Sequence, residues 1–242
     1  MTFLLHMEIV VYTYQIINAT NDEKEIIKYI DQNYHEKISV FKLEIVEVVD
    51  KLSNGSSGRA LRTKMYLARE NGIDVLKGIN FTTTEFKKND DIKEIIGTIY
   101  HELWHISTWD LYSDMYEFVL DESNDLITAF AYMYWIEFIA HIETVFMEVP
   151  SVMRKFCENF INRQWQNIVG GYSYFVKALP YFIVRARYLG CFEKLAEQIM
   201  CRELRNAVYE FESVSYGLLN NDMFTENEKA MIIKDKVKKL FS

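Results

Sequence analysis

The sequence predicts an α+β fold: a small N-terminal sheet followed by a mostly helical C-terminal lobe. Three observations carry that expectation. Short runs rich in β-branched and aromatic residues lie before residue 90, apolar residues recur at spacings of three and four after it, and half of the 242 residues are hydrophobic, 15% of the chain aromatic. A core of that size needs no disulfide or metal staple. The division is expected at Pro150, with residues 1–150 an α+β lobe and 151–242 a helical lobe.

Residues 7–17 read as a strand, and Thr20-Asn21-Asp22-Glu23 is a capping box that opens a helix reaching about residue 33. A second helix is expected over 39–52, with Phe41, Ile45, Val48 and Val49 on its buried side. Ser53-Asn54-Gly55-Ser56-Ser57-Gly58 reads as a flexible loop. Two β-patterned runs, 60–67 and 75–83, flank the turn-forming Glu70-Asn71-Gly72 and predict a hairpin. Asn89-Asp90-Asp91 then supplies capping side chains and early negative charge. Ile92, Ile95, Ile96, Ile99, Leu103 and Ile106 follow as the apolar stripe of one helix. Beyond a capping-rich break at 121–125, an apolar helix runs to about Glu148 and ends before Pro150. Helices over 152–169, 174–188 and 192–219, broken at Gly170-Gly171 and Gly190, lead to a last helix behind a second capping box, Thr225 to Glu228.

Acidic residues outnumber basic ones 35 to 27, for a net charge of −8, and basic residues cluster only at Lys234, Lys236, Lys238 and Lys239. Binding of nucleic acid through its phosphates is therefore not expected. Cys157, Cys191 and Cys201 have no CxxC spacing and lie in helix-patterned segments, which suits free thiols in a reducing, cytoplasmic compartment. Residues 1–8 carry no basic stretch ahead of their apolar run, so no secretory signal is expected. The apolar stretch 126–136 is too short to span ~30 Å of hydrocarbon as a helix, and no membrane partner is expected.

His101-Glu102-Leu103-Trp104-His105, an HExxH motif, falls on the predicted helix of residues 89–106. A four-residue step returns to nearly the same helix face, so both imidazoles can bind one Zn²⁺ while Glu102 leans toward the metal's open position. Catalytic zinc needs a third protein ligand. Residues 134–143 offer Glu137, His141 and Glu143 on one helix; the first two share a face and Glu143 points away. A lone carboxylate on an apolar helix face is costly to bury without a cation or donor, so Glu137 calls for a partner. His6 and His35 sit at a strand entry and a polar helix end and attract no functional reading.

An HExxH helix followed by an acidic residue on a downstream helix resembles the gluzincin class of zincin metallopeptidases. Trp135-Ile136-Glu137-Phe138-Ile139-Ala140 is similar to the second-helix segment of the ImmA/IrrE group of bacterial and phage-associated metallopeptidases. The likeness covers about residues 92–150; Trp104 stands where that group often has glycine, and no helix-turn-helix module accompanies it. The resemblance implies zincin-like active-site helices within residues 1–150, Glu137 as the third ligand, and hydrolysis of a peptide or protein substrate. Glu102 is then the general base acting on a zinc-activated water, and an extended substrate can add to a sheet edge.

His141, one turn beyond Glu137, is the first candidate for a catalytic donor to the tetrahedral oxyanion, ahead of Tyr112, Tyr116, Tyr172 and Tyr174. Asp110 and Asp114 either orient the ligand imidazoles or cap a helix. Arg154, Arg163, Arg185 and Arg187 either bind a substrate carboxylate or pair with the excess of acidic side chains. Two other functions stay open: a zincin scaffold that binds or regulates without turnover, and a di-iron carboxylate protein, for which this chain has a single ExxH pair, Glu102 to His105.

Overall fold

Residues 14–38, 43–53, 57–70, 72–76, 90–121, 123–162 and 172–240 are described by a computed structural model. The fold is mixed α+β as expected, with one four-stranded sheet in the N-terminal part and helices throughout the C-terminal part. Two compact units divide the chain, Met1–Ser107 and Thr108–Ser242.

In the first unit, β1 (Gln15–Ile17) leads into α1 (Asn21–Ile38), then β2 (Ile45–Val49), β3 (Gly58–Leu61) and β4 (Lys64–Ala68). A short 3₁₀ turn, Ile73–Leu76, follows, and α2 (Asp90–Thr108) ends the unit. Sheet order is β1-β2-β4-β3, in which β1, β2 and β4 run parallel while β3 pairs antiparallel with β4 and is the outermost strand on that side among the described residues. The predicted capping box starts α1: the Thr20 amide donates to Glu23 Oε2 at 2.7 Å, and the Glu23 amide to Thr20 Oγ1 at 3.3 Å.

Two expected elements differ. Residues 45–49 form a strand rather than part of a helix over 39–52, because Ile45, Val46, Val48 and Val49 are β-branched and alternate, with Val46 and Val48 buried. The hairpin turns at Arg62-Thr63, inside the run read as one strand over 60–67. Arg62 takes a positive φ of 53° there, and Thr63 is tied to Glu44 through its Oγ1 (2.9 Å) and its carbonyl oxygen (2.8 Å). The expected second β-run falls on the 3₁₀ turn and on residues 77–83, which lie outside the described residues, as do most of the 7–17 strand, the end of the helix expected over 152–169 and the break expected at Gly170-Gly171.

Arg69, just past β4, gathers the C-terminal ends of the parallel strands. Its guanidinium donates to Glu23 Oε1 (2.8 Å) and Oε2 (3.2 Å), to Asp50 Oδ1 beyond β2 (2.7 Å) and to the Asn18 carbonyl beyond β1 (2.6 Å). Glu23 is fully buried, and the guanidinium holds its carboxyl down at about 2. A carboxyl depressed in the fold stabilises the fold above its unfolded value, about 4.5, and that contribution disappears as pH falls toward 2. Replacing Glu23 with Gln is expected to cost on the order of 2 kcal/mol at pH 7, with the gap to wild type narrowing steadily below pH 4.5. Urea unfolding of both proteins across that range checks it; a gap independent of pH would refute the pairing.

In the second unit, α3 (Ser113–Leu120) and α4 (Leu126–Thr144) are followed by a 3₁₀ turn (Val145–Met147) and α5 (Pro150–Asn162). Then come α6 (Tyr172–Tyr188), the short α7 (Phe192–Ala196), α8 (Arg202–Leu219) and α9 (Glu226–Leu240). The helix expected over 192–219 is broken at residues 197–201, where the Gln198 and Ile199 amides bond back three residues and tighten the chain out of the α-helix. Helix α4 packs against α3, α6 and α9 and is apolar nearly all round, as a central helix must be. Two of its buried aromatic residues have their polar tips satisfied: the Trp135 indole donates to Glu226 at 2.7 Å, and Tyr134 bonds Ser215 at 2.9 Å. The aromatic residues Tyr134, Trp135, Phe138 and Phe182 are core.

Candidate metal centre

Helix α2 forms where the spacing placed it. Ile95, Ile96, Ile99, Leu103 and Ile106 are all buried, and that stripe carries the two motif histidines inward with it. His101 and His105 are each 6% exposed, and their Nε2 atoms lie 3.0 Å apart with the rings nearly perpendicular. Two nitrogens on one tetrahedral zinc at about 2.0–2.1 Å are themselves about 3.3 Å apart, so the spacing suits co-ligands of a single ion. Trp104 packs edge-on against His105, at 5.4 Å between ring centroids, and limits the ring's rotation.

Glu102 lies close to the start of β3. A Cβ built on Gly58, the buried first residue of β3, would stand 3.0 Å from Glu102 Cγ and 3.2 Å from Thr98 Cγ2. Gly58 was expected in a flexible loop; it is instead the place where β3 approaches the motif helix so closely that a Cβ would make the facing side chains give by a few tenths of an ångström. No residue pattern signals this, because the glycine ends a Ser- and Gly-rich run that looks like a linker. Gly58→Ala is expected to push Glu102 aside and lower turnover about tenfold or more, leaving bound metal unchanged. Parallel measurement of kcat and metal content checks it, and an unaltered kcat would show that Glu102 does not depend on this contact.

On α4, Glu137 keeps a quarter of its side chain exposed while His141, one turn on, is 1% exposed. His141 Nε2 is 3.8 Å from Glu137 Oε2, and its Nδ1 is 3.7 Å from Glu148 Oε1. Glu143 is exposed, as its spacing predicted. Among the described residues, His101, His105 and Glu137 are a group of three metal-capable side chains whose donor atoms all lie within 4.8 Å of one another. Two buried imidazoles and one carboxylate are a donor set that fits a borderline-soft divalent ion.

Comparison with family models, with curated proteins and with solved structures finds no match for this chain. Its chemistry is therefore read from these residues alone.

The other singled-out residues have plainer places. Asp114 sits in the first turn of α3, where its charge suits the helix N-terminus although it does not cap it, and Asp110 is exposed. Burial pushes the Tyr112 hydroxyl up to about 12, with the Glu226 and Glu143 charges adding to the rise, and Tyr116 stacks on Trp109 at 4.1 Å. Arg185 and Arg187 pair with acidic side chains, Arg185 with Glu148 and Arg187 with Glu212 and Glu193. Arg154 is exposed. His6, Arg163 and the side chains of His35, Tyr172 and Tyr174 lie outside the described residues. All three cysteines are free; burial pushes the Cys157 thiol up to about 12, which makes it unreactive. No helix among the described residues is long and apolar enough to cross a membrane.

Proposed function

We propose that this chain is a zinc-dependent metallopeptidase of the gluzincin type, with His101, His105 and Glu137 as metal ligands and Glu102 as general base. The observation that carries the reading is the grouping of those three donors, two of them on the helix that also bears Glu102. Bound there, zinc would lower the pKa of water to about 7 and polarise a substrate carbonyl.

The side chains of the chain do the rest. Glu102 takes a proton from the attacking water and returns it to the leaving amine nitrogen, the two-way transfer expected of a carboxylate beside the metal ligands on the same helix. A peptide or protein is the substrate class we propose, on the hydrolytic chemistry that the HExxH residues would perform. His141, buried with each ring nitrogen within 4 Å of a carboxylate, suits a residue that orients Glu137 better than one that donates to an oxyanion. Three free thiols fit a reducing, cytoplasmic setting. The di-iron alternative lacks support, because the metal-capable group found among the described residues has three members and one carboxylate.

Metal analysis and cleavage of a peptide library, with and without chelator, test the proposal together. One zinc per chain and chelator-sensitive cleavage are expected. Stoichiometric zinc without cleavage would favour a regulatory zincin scaffold, and the absence of bound metal would overturn the metal centre.

A further inference from the structure

Four ionisable side chains form a row through the interior of the second unit: Glu137, His141, Glu148 and Arg185. Beyond the 3.8 Å and 3.7 Å approaches of His141 to the two carboxylates, Arg185 Nε donates to Glu148 Oε2 at 2.5 Å. Glu148 and Arg185 are largely buried, at 12% and 13% side-chain exposure. The guanidinium lies over the rings of Phe156, at 4.5 Å, and Tyr181, at 4.8 Å, and the Tyr181 ring in turn lies 3.6 Å from the His141 ring. Of these three links only Arg185–Glu148 is a hydrogen bond; His141 sits within 4 Å of both carboxylates, and the row is anchored on α5 and α6 rather than on α4 alone.

Stability does not by itself call for such a row. Buried ion pairs cost desolvation, and apolar residues of like volume often serve a core equally well. What the row does supply is orientation. A carboxylate ligand needs its rotamer fixed by outer partners, and removing such partners typically costs 10–100-fold in metal affinity or activity.

We infer that Glu148 and Arg185 are positioning residues for Glu137, acting through His141. Arg185 fixes the Glu148 carboxylate, Glu148 fixes the His141 ring, and His141 holds the Glu137 oxygen turned toward it. The inference rests on the metal-centre reading above and names what aims its carboxylate.

Zinc affinity of the full chain, measured at one pH by competition with a chromophoric chelator, tests it beside urea unfolding of the metal-free proteins. Glu148→Gln and Arg185→Met are each expected to weaken zinc binding about 10–100-fold. The double variant is expected to be no weaker than the worse single one, because both act along one row, and neither change is expected to matter once Glu137 is Ala. Should Arg185→Met not fold, Arg185→Lys serves, with a smaller loss. Wild-type affinity in a folded Glu148→Gln, while Glu137→Ala has lost zinc, would overturn the inference and leave the metal centre standing. Wild-type affinity in Glu137→Ala would instead overturn the metal centre itself.

Discussion

Glu102→Gln is expected to lower kcat by about 10²–10⁴-fold while the protein keeps its metal and its fold. The amide preserves the length and volume of the side chain, so the Cγ that rests against Gly58 stays where it is. What is lost is the lone pair that accepts the water's proton and the acid form that returns it to the leaving amine. Since the two imidazoles and Glu137 are untouched, metal content is expected to stay at the wild-type level, separating a loss of base from a loss of ion. Glu102→Asp makes the complementary case: its carboxyl carbon falls where Cγ now contacts Gly58, pulling the base back by about one C–C bond, which can cost up to about 10²-fold. Steady-state kinetics with a cleaved library peptide, alongside metal analysis, would decide. Wild-type turnover in Glu102→Gln would remove Glu102 from the chemistry and with it the proposed mechanism.

The parts of this molecule that were legible in the sequence are those set by local chemistry. The stripe from Ile95 to Ile106 reports a helix by its spacing, and the Thr20/Glu23 and Thr225/Glu228 boxes mark two helix starts that the hydrogen bonds reproduce. Glu137 stood out because a carboxylate on an apolar helix is expensive unless something answers it.

The misreadings are equally physical. Phe41, Ile45 and Val48 are spaced by four and three, which imitates a helix, yet the five β-branched-rich residues of β2 sit between two parallel neighbours, and that pairing decides. Arg62-Thr63 contains none of the residues that announce a turn; its geometry is fixed by Glu44, far along the chain and beyond any local pattern. The close approach at Gly58 and the particular partnership of Glu148 with Arg185 were not legible, for the same reason; for Arg185 the sequence offered only pairing with some acidic side chain or a substrate carboxylate. Their roles depend on which elements touch, β3 on α2 and the end of α4 on α6, and no single stretch of residues encodes that.

Removing a ligand is expected to give the second large effect. His101→Ala, His105→Ala and Glu137→Ala each leave two donors, and each is expected to weaken zinc binding by more than the roughly 100-fold upper bound typical of outer-partner losses. The fold is a separate matter. The first unit is built on the buried stripe of α2 and the apolar faces of β2 and β4, and the second on α4, with apolar side chains making up most of both cores and all three cysteines free. Chelated wild type is therefore expected to keep its circular dichroism and to unfold cooperatively, but at lower temperature than the loaded protein. Zinc at 100 times its dissociation constant adds about 2.7 kcal/mol by mass action. The three alanine variants are expected to show no such rise on adding zinc, and their melting temperatures to stay near that of chelated wild type or above it, since truncating a buried imidazole that has no ion to bind costs the core little. Unfolding of the wild type on chelation would make the metal a structural staple and would contradict the assignment of this site to catalysis, because a structural ion needs its fourth position filled by protein whereas a hydrolytic one must leave it to water.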